Sequence, residues 1–168
     1  MRYDRQIIGY HACALPIAER LLQGEPFRPS VNDWDWLGHG VYFWEFGYQR
    51  AQDWAMQWPR LKGRPFAVIG ALIQLGHCLD LLDTEHTQRL SRFASHLVSK
   101  HRPLPENVGA KRSKDCVLIN RFCDSATRNG ASYDTIRGLF QEGAPLVEGS
   151  ALLTQNHIQV VVRNPSAI

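Results

Sequence analysis

Cysteine is scarce and scattered in this chain. Cys13, Cys78, Cys116 and Cys123 form no C-x-x-C pair, so neither a disulfide framework nor a tetrahedral zinc set is expected, and a reducing compartment is implied. The histidines show no H-x-x-x-H spacing, so no metal is expected either. No apolar run approaches a membrane span, and the opening MRYDRQIIGYHA lacks the apolar stretch of a secretory leader. These absences point to a cytoplasmic protein without a membrane partner, or to an effector delivered by a route that needs no signal. Repeats and low-complexity segments are also missing. So is any strong excess of one charge: 19 Lys and Arg stand against 16 Asp and Glu, a net +3, which permits an anionic partner without demanding one. Lys111, Arg112 and Lys114 form a tight basic cluster, read first as a solvated loop and second as a nucleic-acid contact.

What is present is the composition of one ordinary globular domain, taken as 1–168, with 44% hydrophobic residues. RQIIGYHAC reads as a short first strand ending near His11. Ala14, Ile17, Ala18, Leu21 and Leu22 then fall at helical spacing before Gly24. GVYFWE is a strand. Tyr48, Ala51, Trp54, Ala55 and Trp58 give an amphipathic helix stopped by Pro59, and FAVIGALIQL reads as a buried strand. TQRLSRFASHLVSK is a further helix. In CVLINRFCDSA the apolar spacing predicts a helix whose cysteines pack in the core. YDTIRGLFQEG and HIQVVVRN are two last strands. Helices and strands mix without strict βαβ alternation, which favours an α+β architecture.

One run stands apart. In GHGVYFWE, Gly38 and Gly40 flank His39 at the mouth of an aromatic strand. Glycine there costs backbone entropy and offers no side chain to pack, so it marks a close approach, read here as a ligand pocket wall. Together with GYHAC and the tail FQEG…QNHIQVVV, this run resembles the ADP-ribosyltransferase superfamily, in its diphtheria-toxin and poly(ADP-ribose) polymerase-like branch. The match is concentrated in GHGVYF, with His11 of YHAC and the following YQRAQDWA adding to it. The resemblance implies a split β-sandwich with flanking helices and an NAD cleft between two antiparallel-type sheets. His11 and Tyr42 are then expected on neighbouring strands facing that cleft, and on one face of the sheet.

The resemblance further implies that His11 holds the adenosine ribose, that the backbone of Ala12 grips the nicotinamide amide, and that Tyr42 stacks on the nicotinamide ring. Ala12 and Cys13 depart from the usual Gly and hydroxyl residue of the family. Ser30, Asn32, His39 and Gly40 complete the expected cofactor wall, although Ser30 and Asn32 could equally shape a loop. Trp34, Trp36 and Trp44 read as packing. NAD would serve as substrate, because the glycosidic bond breaks through an oxocarbenium-like state that positioning and electrostatics stabilise.

The third catalytic position has several candidates. Gln159 matches the family's glutamate by distance from the C-terminus, with His157 two residues away on the same strand face. A neutral amide cannot take a proton from an acceptor, so Glu142 is assigned as catalytic, with Gln159 as a supporting ribose contact. The implied activity is transfer of ADP-ribose to a nucleic acid or protein by a bacterial toxin or defence effector, with an antitoxin or immunity protein as a further partner. An NAD glycohydrolase, an RNA 2′-phosphotransferase and a catalytically inactive NAD- or ADP-ribose-binding module stand as alternatives.

Overall fold

A computed structural model describes the backbone of residues 2–168 and the side chains from Arg5 onward. The chain is of mixed α+β class, with the order β1 (Arg2–Ala14), α1 (Leu15–Leu22), β2 (Val41–Glu45), α2 (Tyr48–Gln57), β3 (Phe66–Asp80), α3 (Thr84–Ser99), α4 (Ser113–Arg128), β4 (Thr135–Phe140) and β5 (His157–Val162). The expected elements are all present, with shifted bounds. β1 runs past His11 to Ala14 because it pairs with β3 along nearly its whole length. α3 starts earlier than its apolar pattern, since the Asp83 carboxylate accepts from the Glu85 N–H at 2.9 Å and caps the helix. β4 is shorter than the run that suggested it, ending at Phe140. β3 is not the uniformly buried strand its apolar residues suggest: Leu72 is 64% exposed, and full burial begins at Ile73.

The strands close into a ring in the order β1-β2-β5-β4-β3, rather than separating into two sheets. The pairings are antiparallel except β3 with β4, which run parallel. The ring closes because β3 serves both sides. Its first part pairs with β1, and at Gly76, whose φ is +58°, it bends and passes to β4. A side chain there would have to occupy the space of the Asp134 carboxylate, 2.5 Å away. The bend also shifts the alternation: Ile73 and Leu75 face inward before it, Cys78 after it.

Strand alternation divides the ring into an inside and an outside. Ile7, Val41, Phe43, Ile73, Leu75, Val160 and Val162 form the interior. Fully burying a side chain of this size stabilises by about 1.5–3 kcal/mol. One end of the interior is closed by charge. Arg137 donates from Nε and Nη2 to Glu45 at 2.5 and 2.9 Å, and from Nη1 to Asp80 at 3.1 Å. All three side chains are at least nine-tenths buried. Outside, α2 lays Ala51 and Ala55 against Ala12 and Trp44. α4 lays Ile119, Phe122 and Cys123 against Leu79, Ile136 and Val161, so Cys123 is a packing residue as expected; Cys116 is also buried and turns its Sγ to the Asn32 carbonyl at 3.4 Å. Burial is the main cause raising the Cys123 thiol to about 11 and the Cys78 thiol to about 12, which keeps both protonated and inert.

Candidate functional site

The β1–β2 ladder is short. It holds Gly9 opposite Glu45 and Tyr10 opposite Trp44, and no further pairs follow. Beyond it the strands part. Into this gap opens a cleft of about 330 Å³, lined by His11, Ala12, Ser30, Asn32, Gly40, Tyr42 and Gln159, with Arg28, Asp35 and several tryptophans. Most of the expected cofactor wall is thus in one place, drawn from both ends of the chain.

The expectation that His11 and Tyr42 share a sheet face is corrected. By alternation His11 belongs with Phe43, whose ring centroid lies 5.6 Å away, and Tyr42 belongs with Trp44 on the outer side. The two flank the gap instead of standing side by side. They are joined across it: His11 Nδ1 donates to the Tyr42 carbonyl at 2.9 Å, which sets the tautomer and leaves Nε2 as an acceptor. Burial lowers the His11 pKa, partly offset by this hydrogen bond, so the ring is neutral at physiological pH. The Tyr42 hydroxyl is fully occupied, donating to Gly38 O at 2.8 Å and accepting from Leu37 N–H at 3.1 Å. Burial pushes its pKa far above the ordinary phenol value. Its ring face, and not its oxygen, is what it offers a ligand.

Gly38 and Gly40 are glycines for a different reason from the one expected. At Gly40 (φ +152°) a Cβ would lie 2.6 Å from the Val162 carbonyl oxygen. At Gly38 (φ +77°) it would lie 2.7 Å from the Asn120 amide oxygen. The close approach is to β5 and α4, within the protein. Gly40 also bridges Ser30, with N–H···O distances of 2.8 and 3.1 Å, and this bridge forms the cleft's lip. Asn32 holds the lip, donating from Nδ2 to Ser30 Oγ at 2.9 Å.

His39 and Cys13 do not line the cleft. His39 uses its backbone, its N–H donating to Asn120 at 3.0 Å and its carbonyl accepting from Arg163 at 3.2 Å. Cys13 is buried, and it alternates with Ala12, which faces the cleft.

Glu142 does not line the cleft either. It follows the end of β4, and Arg50 of α2 reaches it, Nη2 to Oε2 at 2.5 Å. His157, two residues from Gln159 on β5, sets its ring near Trp44 and Phe140, at centroid distances of 6.4 and 5.5 Å. Its Nδ1 donates to the Gln155 carbonyl at 2.7 Å, and burial is the main cause lowering its pKa. Trp44 Nε1, Arg50 Nε and His157 Nε2 are buried without a hydrogen-bond partner among the described residues. Leaving such groups unpaired costs about 1–3 kcal/mol each. Gln159 is in the cleft, and its Oε1 accepts from Trp36 Nε1 at 2.7 Å. The amide therefore turns its NH2, a donor, to the remaining directions.

Sequence reasoning did not single out Arg28, Asp35, Trp54 and Trp58. Trp34 and Trp44, read as packing, also line the cleft. Trp54 stacks on Trp58 at 5.0 Å and meets Trp44 at 5.4 Å, which makes one wall continuously aromatic. Asp35 is the carboxylate of the cleft among the described residues; its Oδ2 accepts from the Asn32 N–H at 3.0 Å. Arg28 stands at the mouth and makes no ion pair among the described residues. Among those residues no group of His, Cys, Asp and Glu side chains is placed to hold a metal ion, and no helix is long and apolar enough to cross a membrane.

No family model matches the chain, and no solved structure matches it. An uncharacterised protein from Methanocaldococcus jannaschii is 26% identical over 189 aligned positions, which take in all of this chain and 86% of the relative.

Proposed function

We propose that the cleft binds NAD and that the protein is an ADP-ribosyltransferase with the split-sandwich ancestry its GHGVYF run suggests. The observation that carries this is the convergence of His11, Ala12, Ser30, Asn32, Gly40, Tyr42 and Gln159 on one cleft. Its volume is at the lower end for ligand sites, which run from about 300 to 1,000 Å³, so a dinucleotide would extend past the mouth, where Arg28 supplies a cation for its phosphates. Neutral His11 offers an acceptor for a ribose hydroxyl, and the Tyr42 ring and tryptophan wall offer flat apolar faces.

In this reading the bond between nicotinamide and ribose breaks while a bond from the acceptor's nucleophile to the ribose forms, and positive charge develops on the sugar. The chain's contribution is placement. Gln159 donates to the ribose from its NH2. Glu142, held by Arg50, takes the acceptor's proton. Charge stabilisation by Gln159 is weak, because a neutral amide offers only a dipole.

That same residue favours a second reading. With a glutamine in the cleft and Glu142 outside its lining, the protein could bind NAD or ADP-ribose without turning it over. Calorimetric titration with NAD, followed by assay of nicotinamide release and of label transfer from NAD to lysate macromolecules, separates the two. Binding with transfer that Glu142→Gln abolishes supports the transferase. Binding without release supports the module, and no binding overturns both.

A further inference from the structure

Away from the cleft, an open groove of about 930 Å³ runs between the C-terminal halves of α3 and α4. Its walls carry His96, Lys100, Arg102, Arg121 and Arg128, against one carboxylate, Asp124. Asp124 is already directed to Arg163, at 3.8 Å. Lys100, Arg102, Arg121 and Arg128 make no ion pair among the described residues. The whole chain carries only +3, so this is a local concentration of uncompensated charge.

A structural role accounts for part of it. Lys100 caps α3 and Arg128 ends α4, where cations favour the helix macrodipole. Arg121 ties the two helices together through the Arg102 and Pro103 carbonyls, at 3.4 and 3.2 Å. Neither role explains Arg102, nor why the cations gather on one groove. The spacing is also ordered. Lys114, Arg121 and Arg128 recur at seven-residue intervals on α4, so they share one helix face and stand about 10 Å apart. Lys114 is neutralised by Glu106 at 2.8 Å, and the unpaired stretch begins at Arg121.

We propose that the α3–α4 groove binds the phosphate backbone of a nucleic-acid strand. A protein partner of acidic character is the less favoured occupant, because protein interfaces rest on buried apolar anchors. The groove presents none: Leu97 is 3% exposed, and Phe93 packs its ring against Phe122 at 5.3 Å. A row of point cations above a closed apolar floor suits a regular polyanion. The groove and the cleft share α4, whose Cys116 Sγ reaches the Asn32 carbonyl at the cleft lip. The proposal stands apart from the reading of the cleft, since binding is measured without NAD.

The experiment titrates the full chain into fluorescein-labelled 12-mers of single-stranded RNA and DNA, with labelled polyglutamate as the protein-like polyanion, over a series of salt concentrations. The test variant is Lys100→Gln/Arg102→Gln/Arg128→Gln, which spares Arg121 and its two carbonyl bonds. Arg60→Gln/Lys62→Gln/Arg64→Gln makes the same change in net charge on the exposed turn after α2. The expected result is at least a tenfold loss of oligonucleotide affinity in the groove variant and a log-affinity against log-salt slope shallower by about 2. The control variant should stay within about threefold of the parent. RNA and DNA binding alike mean backbone recognition, and RNA alone adds a contact to the 2′-hydroxyl; either supports the proposal. Absence of oligonucleotide binding, equal losses in the two variants, or polyglutamate bound as tightly as the oligonucleotides would each overturn it.

Discussion

A single strand, VYFWE, serves two regions built on different terms. Val41, Phe43 and Glu45 point into the ring, while Tyr42 and Trp44 point out toward the cleft. Inside, the buried polar side chains among the described residues answer one another: Glu45 meets Arg137, Arg137 meets Asp80, and the Thr135 hydroxyl donates to the Leu75 carbonyl at 2.6 Å. Outside, Trp44 Nε1, Arg50 Nε and His157 Nε2 are left unpaired, and the Arg28 guanidinium stands without an ion-pair partner among the described residues. The charged groups of the interior are paired with one another; on the cleft side three buried nitrogens are not. The Tyr133 hydroxyl, in the cluster beneath α4, is the further buried side-chain group without a hydrogen-bond partner among the described residues, so incomplete satisfaction is not confined to the cleft side.

The comparison is broken most forcefully from the inside. Arg137→Leu leaves two buried carboxylates facing each other without their cation and should lower stability by about 3–5 kcal/mol. Phe43→Ala, a large-to-small change in a fully buried site, should cost a similar ~3–5 kcal/mol. Both are read by denaturant unfolding, and a loss under about 1 kcal/mol in either would contradict the interior as described.

Tyr42→Ala tests the other region, where the effect should fall on the ligand. NAD affinity should drop at least tenfold, about 1.4 kcal/mol, measured by calorimetry on protein shown to be folded. Tyr42→Phe sharpens this. It removes the bonds to Gly38 and Leu37, at about 1 kcal/mol of stability, but keeps the ring face. It should therefore retain most of the affinity that alanine loses. Equal losses in the two variants would move the role from ring to hydroxyl.

Glu142→Gln and Gln159→Ala divide chemistry from binding. The first should leave NAD affinity within about threefold while abolishing transfer, because the carboxylate is outside the cleft lining. The second should weaken NAD binding by about 1 kcal/mol and also loosen Trp36, its indole partner. Full transfer activity in Glu142→Gln would shift the base elsewhere, with Asp35 as the carboxylate already in the cleft.

The smallest expected effect is with pH. His11 and His157 both have folded-state pKa values below the ordinary 6.5, chiefly through burial. The unfolded chain therefore binds more protons between the folded and unfolded pKa values, and stability rises with pH across that window. Acidification from pH 7.5 to 5.5 should lower the unfolding midpoint, and His11→Gln and His157→Gln should each flatten the slope. NAD affinity in the parent should fall only below the lowered folded-state pKa of His11, where protonation removes its acceptor. A pH response unchanged in both variants would assign it to other groups.

The strands and helices were legible in the sequence, but their closure into a ring was not. The helix of Cys116, Ile119, Phe122 and Cys123 could be read from spacing alone, because one apolar face on a period of 3.6 has few other ways to be buried. His11 and Tyr42 were picked out by the family resemblance of YHAC and GHGVYF, and both line the cleft, although strand alternation sets them on different faces. Arg28 and Asp35 were not picked out, because a loop of Pro, Asn, Asp and Gly carries no period from which a facing direction can be read. Glu142 was misplaced for a related reason. Its position depends on the turn that brings Gln155 N–H back to its carbonyl at 3.1 Å, and on Arg50 arriving from α2. The glycines of GHG were noticed for a good reason: Gly40 does line the cleft, while the atoms a Cβ would meet at Gly40 and Gly38 belong to β5 and α4. Their cost marks a close approach, but nothing local says whether a ligand or another strand is approaching.

Local chemistry alone settled the class, the element order and which residues of each strand travel together, because periodicity and capping act over a few residues. Closure was settled in three dimensions. That β3 bends at Gly76 to join two partners, that β1 and β2 part after Tyr10 and Trp44, and that Glu45 finds Arg137 and Asp80 inside the ring are long-range pairings. Such pairings depend on which distant surfaces are buried together, and the free energy of that burial belongs to the assembled ring rather than to any segment of it.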